Sequence, residues 1–325
     1  MLRKPVLAHR EDRRKAAQIN PLCGDPEGWF DSVFFREKGL YAASFDFFVN
    51  WEKESVCDEV WIKRISDSEE IQQMEEDELT KLISDCDGIE KSRSLYFFLR
   101  YHGMREKYML FRDVPESLWS SGQEKVVELD LTKYRKGSIS YLNAEEIQDR
   151  IEKLRIKPAS LGKDGLRYAT SYLEGYLSEK PFFWPGDVDT ILYDRNNRVA
   201  AVIEFKKYTA DSTISFERQG IHNYRKKDYQ KYKSLALLRD RFQTGLFVIY
   251  YPVPGNIDYI IVEELEGTPT WKTPSLLHAV SRTELALPLI NRPDRMREFA
   301  GEFMDRVIGE NQEKENAGSY ENGKH

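Results

Sequence analysis

The sequence predicts an α/β fold with a β-rich N-terminal region, and three observations carry that reading. The second half alternates strongly apolar runs of strand length with stretches whose apolar residues recur at three- and four-residue steps. The first half is dense in aromatic and β-branched runs of strand character. Between them, two runs that read as buried strands, Asp187 to Tyr193 and Arg198 to Lys206, carry ionisable side chains at their ends.

In chain order, residues 1 to about 28 show no clear period and read as a polar arm or capping segment. Trp29–Phe35, Leu40–Trp51 and Val60–Ile65 read as strands or buried segments, and the acidic stretch Ser68 to Lys91 as a helix or exposed loop with a solvated face. Leu95–Tyr101 and Lys107–Phe111 flank His102-Gly-Met-Arg-Glu106 and predict a hairpin; Val126–Leu131 alternates as a further strand. Asn143-Ala-Glu-Glu146 has the form of a capping box, followed by Ile147, Ile151 and Leu154 on one helical face. Lys157–Gly165 reads as a connection, Leu166 to Leu177 as a helix and Pro181–Trp184 as a short strand. After a loop following Lys207, Ile221, Tyr224, Asp228, Tyr232, Leu235, Leu238 and Phe242 keep a helical period. Thr244–Pro252 and Ile257–Val262 are strongly apolar strands. Leu276 to Ile308 reads as helical with Pro288 and Pro293 interrupting it, and 310–325 as a disordered polar tail. The expected divisions are therefore 1–156, 157–265, 266–309 and 310–325.

Composition narrows the class. A chain of 325 residues with 40% hydrophobic and 13% aromatic content can bury a substantial core. Its 3 cysteines, Cys23, Cys57 and Cys86, are far apart and form no C-x-x-C pair, which argues against a disulfide framework or zinc site and fits a reducing cytoplasm. No run approaches the roughly 20 apolar residues of a membrane span, so no membrane partner is expected. The basic start lacks the apolar region of a secretory signal. The net charge of −6 bears little on phosphate binding, which needs a local basic surface.

The chemistry gathers between Pro185 and Lys207. Asp-Arg-Asn-Asn197 is turn chemistry, so the two flanking runs form a hairpin that sets Asp189 opposite Glu204. Glu204 and Lys206 share one face of their strand, while Ile203 and Phe205 point to the other. Two adjoining carboxylates repel unless a cation sits between them, and oxygen ligands of this kind suit Mg²⁺ or Mn²⁺. Such an ion can hold a scissile phosphate while Lys206 orients or activates the attacking water. The following stretch supplies a basic surface in Lys207, Arg225, Lys226, Lys227 and Lys231, with Gln230 among them, suited to gripping a nucleic-acid backbone.

Gly-Asp-Val-Asp189, a hydrophobic hairpin and then Glu204-Phe-Lys206 resemble the signature of the PD-(D/E)xK nuclease superfamily. The resemblance covers roughly residues 160 to 262. It implies a restriction-endonuclease-like core, a mixed sheet flanked by helices in αβββαβ order. It further implies a magnesium- or manganese-dependent nuclease with Asp189 as first acid, Asp187 as the competing assignment, Glu204 and Lys206 in the tripeptide, and the Phe205 carbonyl as a further metal ligand. The opening helix of such cores often offers an acid to a second metal, which points to Glu174. DNA as substrate, an endonuclease of restriction, repair or mobile-element type, and target recognition by the N-terminal region all rest on this resemblance. RNA cleavage and a catalytically inactive nucleic-acid-binding or assembly module stay open, as does a homodimer or accessory protein. The RecB-like branch carries a Gln and a Tyr four apart, whereas Gln219 and Tyr224 here are five apart.

Overall fold

A computed structural model describes residues 1–158 and 165–309. Most of the connection expected at Lys157–Gly165 and the whole tail expected from Glu310 lie outside the described residues. The chain is mixed α/β. It opens with two short strands, β1 (Leu2–Arg3) and β2 (Ala8–His9), then helices α1 (Glu27–Phe30) and α2 (Val33–Glu37). Next come the hairpin β3 (Leu40–Asn50) and β4 (Ser55–Ser66), helices α3 (Glu76–Asp87) and α4 (Ile89–Tyr101), β5 (Arg105–Phe111), α5 (Glu116–Ser120), β6 (Val126–Lys133), β7 (Lys136–Leu142) and α6 (Ala144–Arg155). After the undescribed stretch follow β8 (Tyr168–Ala169), α7 (Tyr172–Leu177), the hairpin β9 (Asp187–Asp194) and β10 (Val199–Tyr208), α8 (Tyr229–Phe242), β11 (Gly245–Pro252), β12 (Tyr259–Glu266), β13 (His278–Ala286) and α9 (Pro293–Phe303). Among the described residues no helix is long and apolar enough to cross a membrane.

Contacts divide the chain into two compact units, Met1–Ala17 with Phe45–Asp187, and Gln18–Ser44 with Val188 onward. In the first unit β4 runs antiparallel to β3 and parallel to β5, and β6 and β7 add on antiparallel. Phe48, Trp61, Met109, Phe111 and Trp184 pack with Ile147 and Ile151 of α6 and Leu173 and Leu177 of α7. The second unit repeats that strand plan. There β10 is antiparallel to β9 and parallel to β11, with β12 and β13 antiparallel beyond. One face of this sheet, including Ile203, Ile249 and Val262, is covered by Trp29, Phe30 and Phe35 from α1 and α2 and by Phe299 and Phe303 of α9. The other face receives α8, which packs on β10 and β11.

Several elements differ from expectation, for identifiable reasons. Leu95–Tyr101 is helical, not a hairpin arm, because Leu95, Phe98 and Leu99 recur at the i, i+3, i+4 steps of one buried helical face. Trp29–Phe35 lies in two short helices in which Trp29, Phe30 and Phe35 are buried, so burial was legible and the element type was not. The helix expected over Leu166–Leu177 begins only at Tyr172, where the Ser171 hydroxyl accepts from Glu174 N. Pro181–Trp184 is not a strand, the flanking Pro181 and Pro185 having no N–H to offer a ladder. From Tyr172 to Glu266 the helices and strands therefore run α7, β9, β10, α8, β11, β12 rather than in αβββαβ order, and α7 belongs to the first unit. Ile221–Asn223 is a separate turn of 3₁₀ helix, and the long helix starts at Tyr229. At the C-terminal end, His278–Ala286 is an edge strand paired with β12, not a helix, and α9 starts at Pro293, where a proline suits the first helical turn.

Candidate functional site

The site is built on the β9–β10 hairpin of the second unit. Its turn closes as the sequence implied: Asp194 Oδ1 accepts from the backbone N–H of Asn196 and Arg198, and Asn197 takes the left-handed conformation at φ 63° that asparagine tolerates. The ladder from that turn pairs Thr190 with Ile203. Beyond it, the Phe205 N–H donates to Asp189 Oδ2 at 2.6 Å, which fixes the Asp189 carboxylate beside Glu204. Phe205 itself turns its ring into the opposite core, against Trp29 and Tyr251.

Glu204 is fully buried, and no backbone N–H or neutral side chain donates to its carboxylate. A buried carboxylate without compensation costs several kcal/mol, so nearby cations decide whether it can stay ionised. Two ammonium groups supply that compensation. Lys231 Nζ, from the first turn of α8, stands 2.7 Å from Glu204 Oε1 and 4.0 Å from Asp189 Oδ1. Lys206 Nζ stands 3.3 Å from Glu204 Oε1 and 3.2 Å from Asp228 Oδ2. The rings of Tyr224 and Tyr232 lie 5.3 and 5.2 Å from Lys206 Nζ, within cation–π range, and confine it. Asp228 precedes α8 at the position where an aspartate would cap the helix, yet its side chain caps nothing and is given to Lys206 instead. Burial, with Glu204 nearby, pushes the Tyr232 phenol well above its usual range, so it stays neutral.

The segment ahead of α8 is anchored through Glu263, whose carboxylate accepts from Ile221 N, Tyr250 Oη and Arg282 Nη1. Gly220 lies where an added Cβ would come within 2.9 Å of Glu263 Oε1, so a larger residue would displace this anchor. Although five apart, Gln219 and Tyr224 do meet, the Tyr224 hydroxyl donating to Gln219 Oε1.

The remaining sequence candidates fall elsewhere. Glu174 and Asp187 belong to the first unit, where the Glu174 carboxylate accepts from Thr170 N at 2.7 Å and from the Thr170 hydroxyl. There Asp46 pairs with Lys63 at 3.2 Å and accepts from Trp184 Nε1. Burial pushes the Asp46 carboxyl up to about 7 against the pull of Lys63, with Asp187 adding to the rise. Of the basic residues, Lys207 reaches the Gln18 carbonyl at 2.5 Å, and burial lowers its pKa. Arg225 donates to the Leu277 carbonyl at 2.8 Å. Lys226 and Lys227 are exposed but precede α8 rather than lying on it, and Gln230 is exposed on its first turn.

Asp228 is the member that sequence reasoning missed as a site residue. The available signal was an acid in the midst of a basic run, three positions before Lys231. Comparison of the chain with protein-family models, with curated proteins and with solved structures gave no match.

Proposed function

We propose that the chain is a divalent-metal-dependent nuclease that hydrolyses phosphodiester bonds, with DNA the favoured substrate through the sequence resemblance. One observation carries the reading. Two carboxylates from paired strands, Asp189 and a fully buried Glu204, share one cation, with a second lysine alongside. Among the described residues no three His, Cys, Asp or Glu side chains gather as a metal site. Two carboxylates are nevertheless the usual protein share for Mg²⁺, which keeps several waters and takes substrate phosphate oxygens. Asp189 and Glu204 would hold the ion, with the Phe205 carbonyl as a further oxygen, and the ion would polarise the phosphate and a bound water. Lys206, confined by two tyrosines and steadied by Asp228, would orient the attacking water and meet the charge that builds on the phosphate. Lys231 lies where a released ammonium can contact a backbone phosphate.

The test is cleavage of duplex, single-stranded and branched DNA and of RNA in Mg²⁺ or Mn²⁺. Glu204→Gln and Lys206→Ala should each lower the rate at least about 100-fold, the lower range for loss of a group acting on the proton in flight. Cleavage that survives either substitution rejects the assignment. A second reading, a nucleic-acid-binding module without turnover, is favoured by the Lys231 ammonium that already compensates both acids. Tight metal-independent binding with no cleavage would select it.

A further inference from the structure

Four of the 6 tryptophans, Trp29, Trp61, Trp119 and Trp184, are buried, whereas Trp271 is 76% exposed. It stands with Lys272 at the tip of a braced turn. Thr273 N–H donates to the Thr270 carbonyl at 3.2 Å, and the two threonine hydroxyls meet at 2.5 Å. The stems on either side are held from the site side of the sheet. Arg239 of α8 donates to the carbonyls of Leu265 and Gly267, and Arg225 donates to that of Leu277. Trp271 meets Tyr229 edge to face, with ring centroids 6.0 Å apart and planes at 75°. Tyr229 in turn lies between Asp228, the partner of Lys206, and Lys231, the partner of Glu204.

Leaving a tryptophan in water on a rigid turn forgoes one of the largest apolar burials a side chain can make. An exposed indole face beside a cation matches the two features of a nucleotide, a π-face and a phosphate. We propose that Trp271 is a stacking platform for an unpaired nucleobase of the substrate, with Lys272 and the exposed Lys226 and Lys227 taking neighbouring phosphates. This rests on the nucleic-acid reading of the site and deepens it, because a stacking platform selects single-stranded or locally unpaired strands over intact duplex.

The test is binding without turnover, with the full chain in EDTA. The probes are a 12-nucleotide oligothymidylate, the matching oligouridylate and a duplex of the same length. Trp271→Ala should weaken single-strand binding about tenfold, Trp271→Phe should retain most of it, and duplex binding should change little. The oligothymidylate should quench the fluorescence of the parent chain, and that quench should vanish in Trp271→Phe. Unchanged single-strand affinity in Trp271→Ala, or an equal loss on duplex, overturns the platform while leaving the nuclease reading in place. An oligothymidylate that quenches Trp271 in EDTA yet stays uncleaved once Mg²⁺ or Mn²⁺ is supplied in excess supports the platform and counts against the nuclease. If the parent chain binds no nucleic acid, both fall. The DNA and RNA arms separate the two sources of the base.

Discussion

Replacing Lys231 by methionine tests how the site handles cations. In the present arrangement Lys231 Nζ lies 2.7 Å from Glu204 Oε1 and 4.0 Å from Asp189 Oδ1, where a divalent ion would have to sit. Metal binding must therefore displace it. At 2.7 Å the attraction between unit charges is about 6 kcal/mol at an effective dielectric of about 20, and about 1.5 kcal/mol in water. The Lys231 side chain is 35% exposed, which moves the value toward the lower limit, to about 2 kcal/mol. Since about 1.4 kcal/mol is a tenfold change in an equilibrium constant, Lys231→Met should tighten Mn²⁺ binding roughly ten- to a hundredfold. It should also cost about 1–3 kcal/mol of stability in EDTA, because Glu204 keeps only Lys206 at 3.3 Å. Calorimetric titration gives the first number and urea unfolding in EDTA the second. A folded Lys231→Met chain whose Mn²⁺ affinity is unchanged or weaker would refute the exchange, and would make Lys231 a permanent counter-ion of a metal-free site.

Two further substitutions probe other parts of the argument. Asp228→Asn removes the acceptor 3.2 Å from Lys206 Nζ without touching the acid pair. Cleavage should fall about tenfold, as for loss of an orienting partner, while Mn²⁺ affinity should stay within about twofold; a matching loss of metal affinity would show that Asp228 binds the ion. In the first unit, Glu106 is buried, no side chain hydrogen-bonds its carboxylate, and its ion pair with Arg100 is 3.8 Å long. Burial pushes its carboxyl from 4.5 up to about 7, its own backbone N–H and Arg100 opposing the rise and Asp130 adding to it. Between these values the folded state holds a proton that the unfolded chain has lost. Stability should therefore fall as pH rises from about 4.5 to about 7, by up to about 3 kcal/mol. Glu106→Gln should remove that share of the slope, leaving the share due to Asp46, and be the more stable chain at pH 8, as denaturant midpoints measured across the range will show. An unaltered slope would mean that Glu106 is not the group responsible.

How much of the molecule was legible depended on how local the signal was. The β9–β10 hairpin was readable because its turn residues, its apolar runs and its terminal charges lie within one short stretch. So was the capping box of α6, where Asn143 and Glu146 satisfy each other's backbone N–H. The helix at Leu95–Tyr101 was misread because an aromatic-rich run of seven residues satisfies a strand pattern as readily as a helical one. At Ile221 the period continued across a break: Ile221 and Tyr224 are packed as helical residues would be, but the Ile221 N–H is taken by the distant Glu263 carboxylate, which no local pattern could show. The mixed sheet and flanking helices match the expected class, while β13 replaced an expected helix. Its alternating pattern is mostly exposed, and its pairing is set by β12 rather than by its own apolar content.

The basic run after the hairpin shows why charge counts mislead about surfaces. A guanidinium or ammonium in a sequence can serve solvent, a ligand or a backbone carbonyl, and only the fold decides which. Lys207 and Arg225 are spent on carbonyls of Gln18 and Leu277, Arg239 on those of Leu265 and Gly267, and Lys231 on the acids. Among the described residues, Lys226 and Lys227 stay exposed just ahead of α8, and Lys272 is exposed on a loop about forty-five residues further on. The residues tied to carbonyls are not idle, since Arg225 and Arg239 hold the turn that presents Trp271 and Lys272. Removing them would weaken nucleic-acid binding by loosening that turn rather than by removing a phosphate contact. The two cases differ in their salt dependence: loss of a phosphate contact lowers the slope of log affinity against log salt by about one, whereas loss of a tether lowers it only as far as Lys272 loses its phosphate.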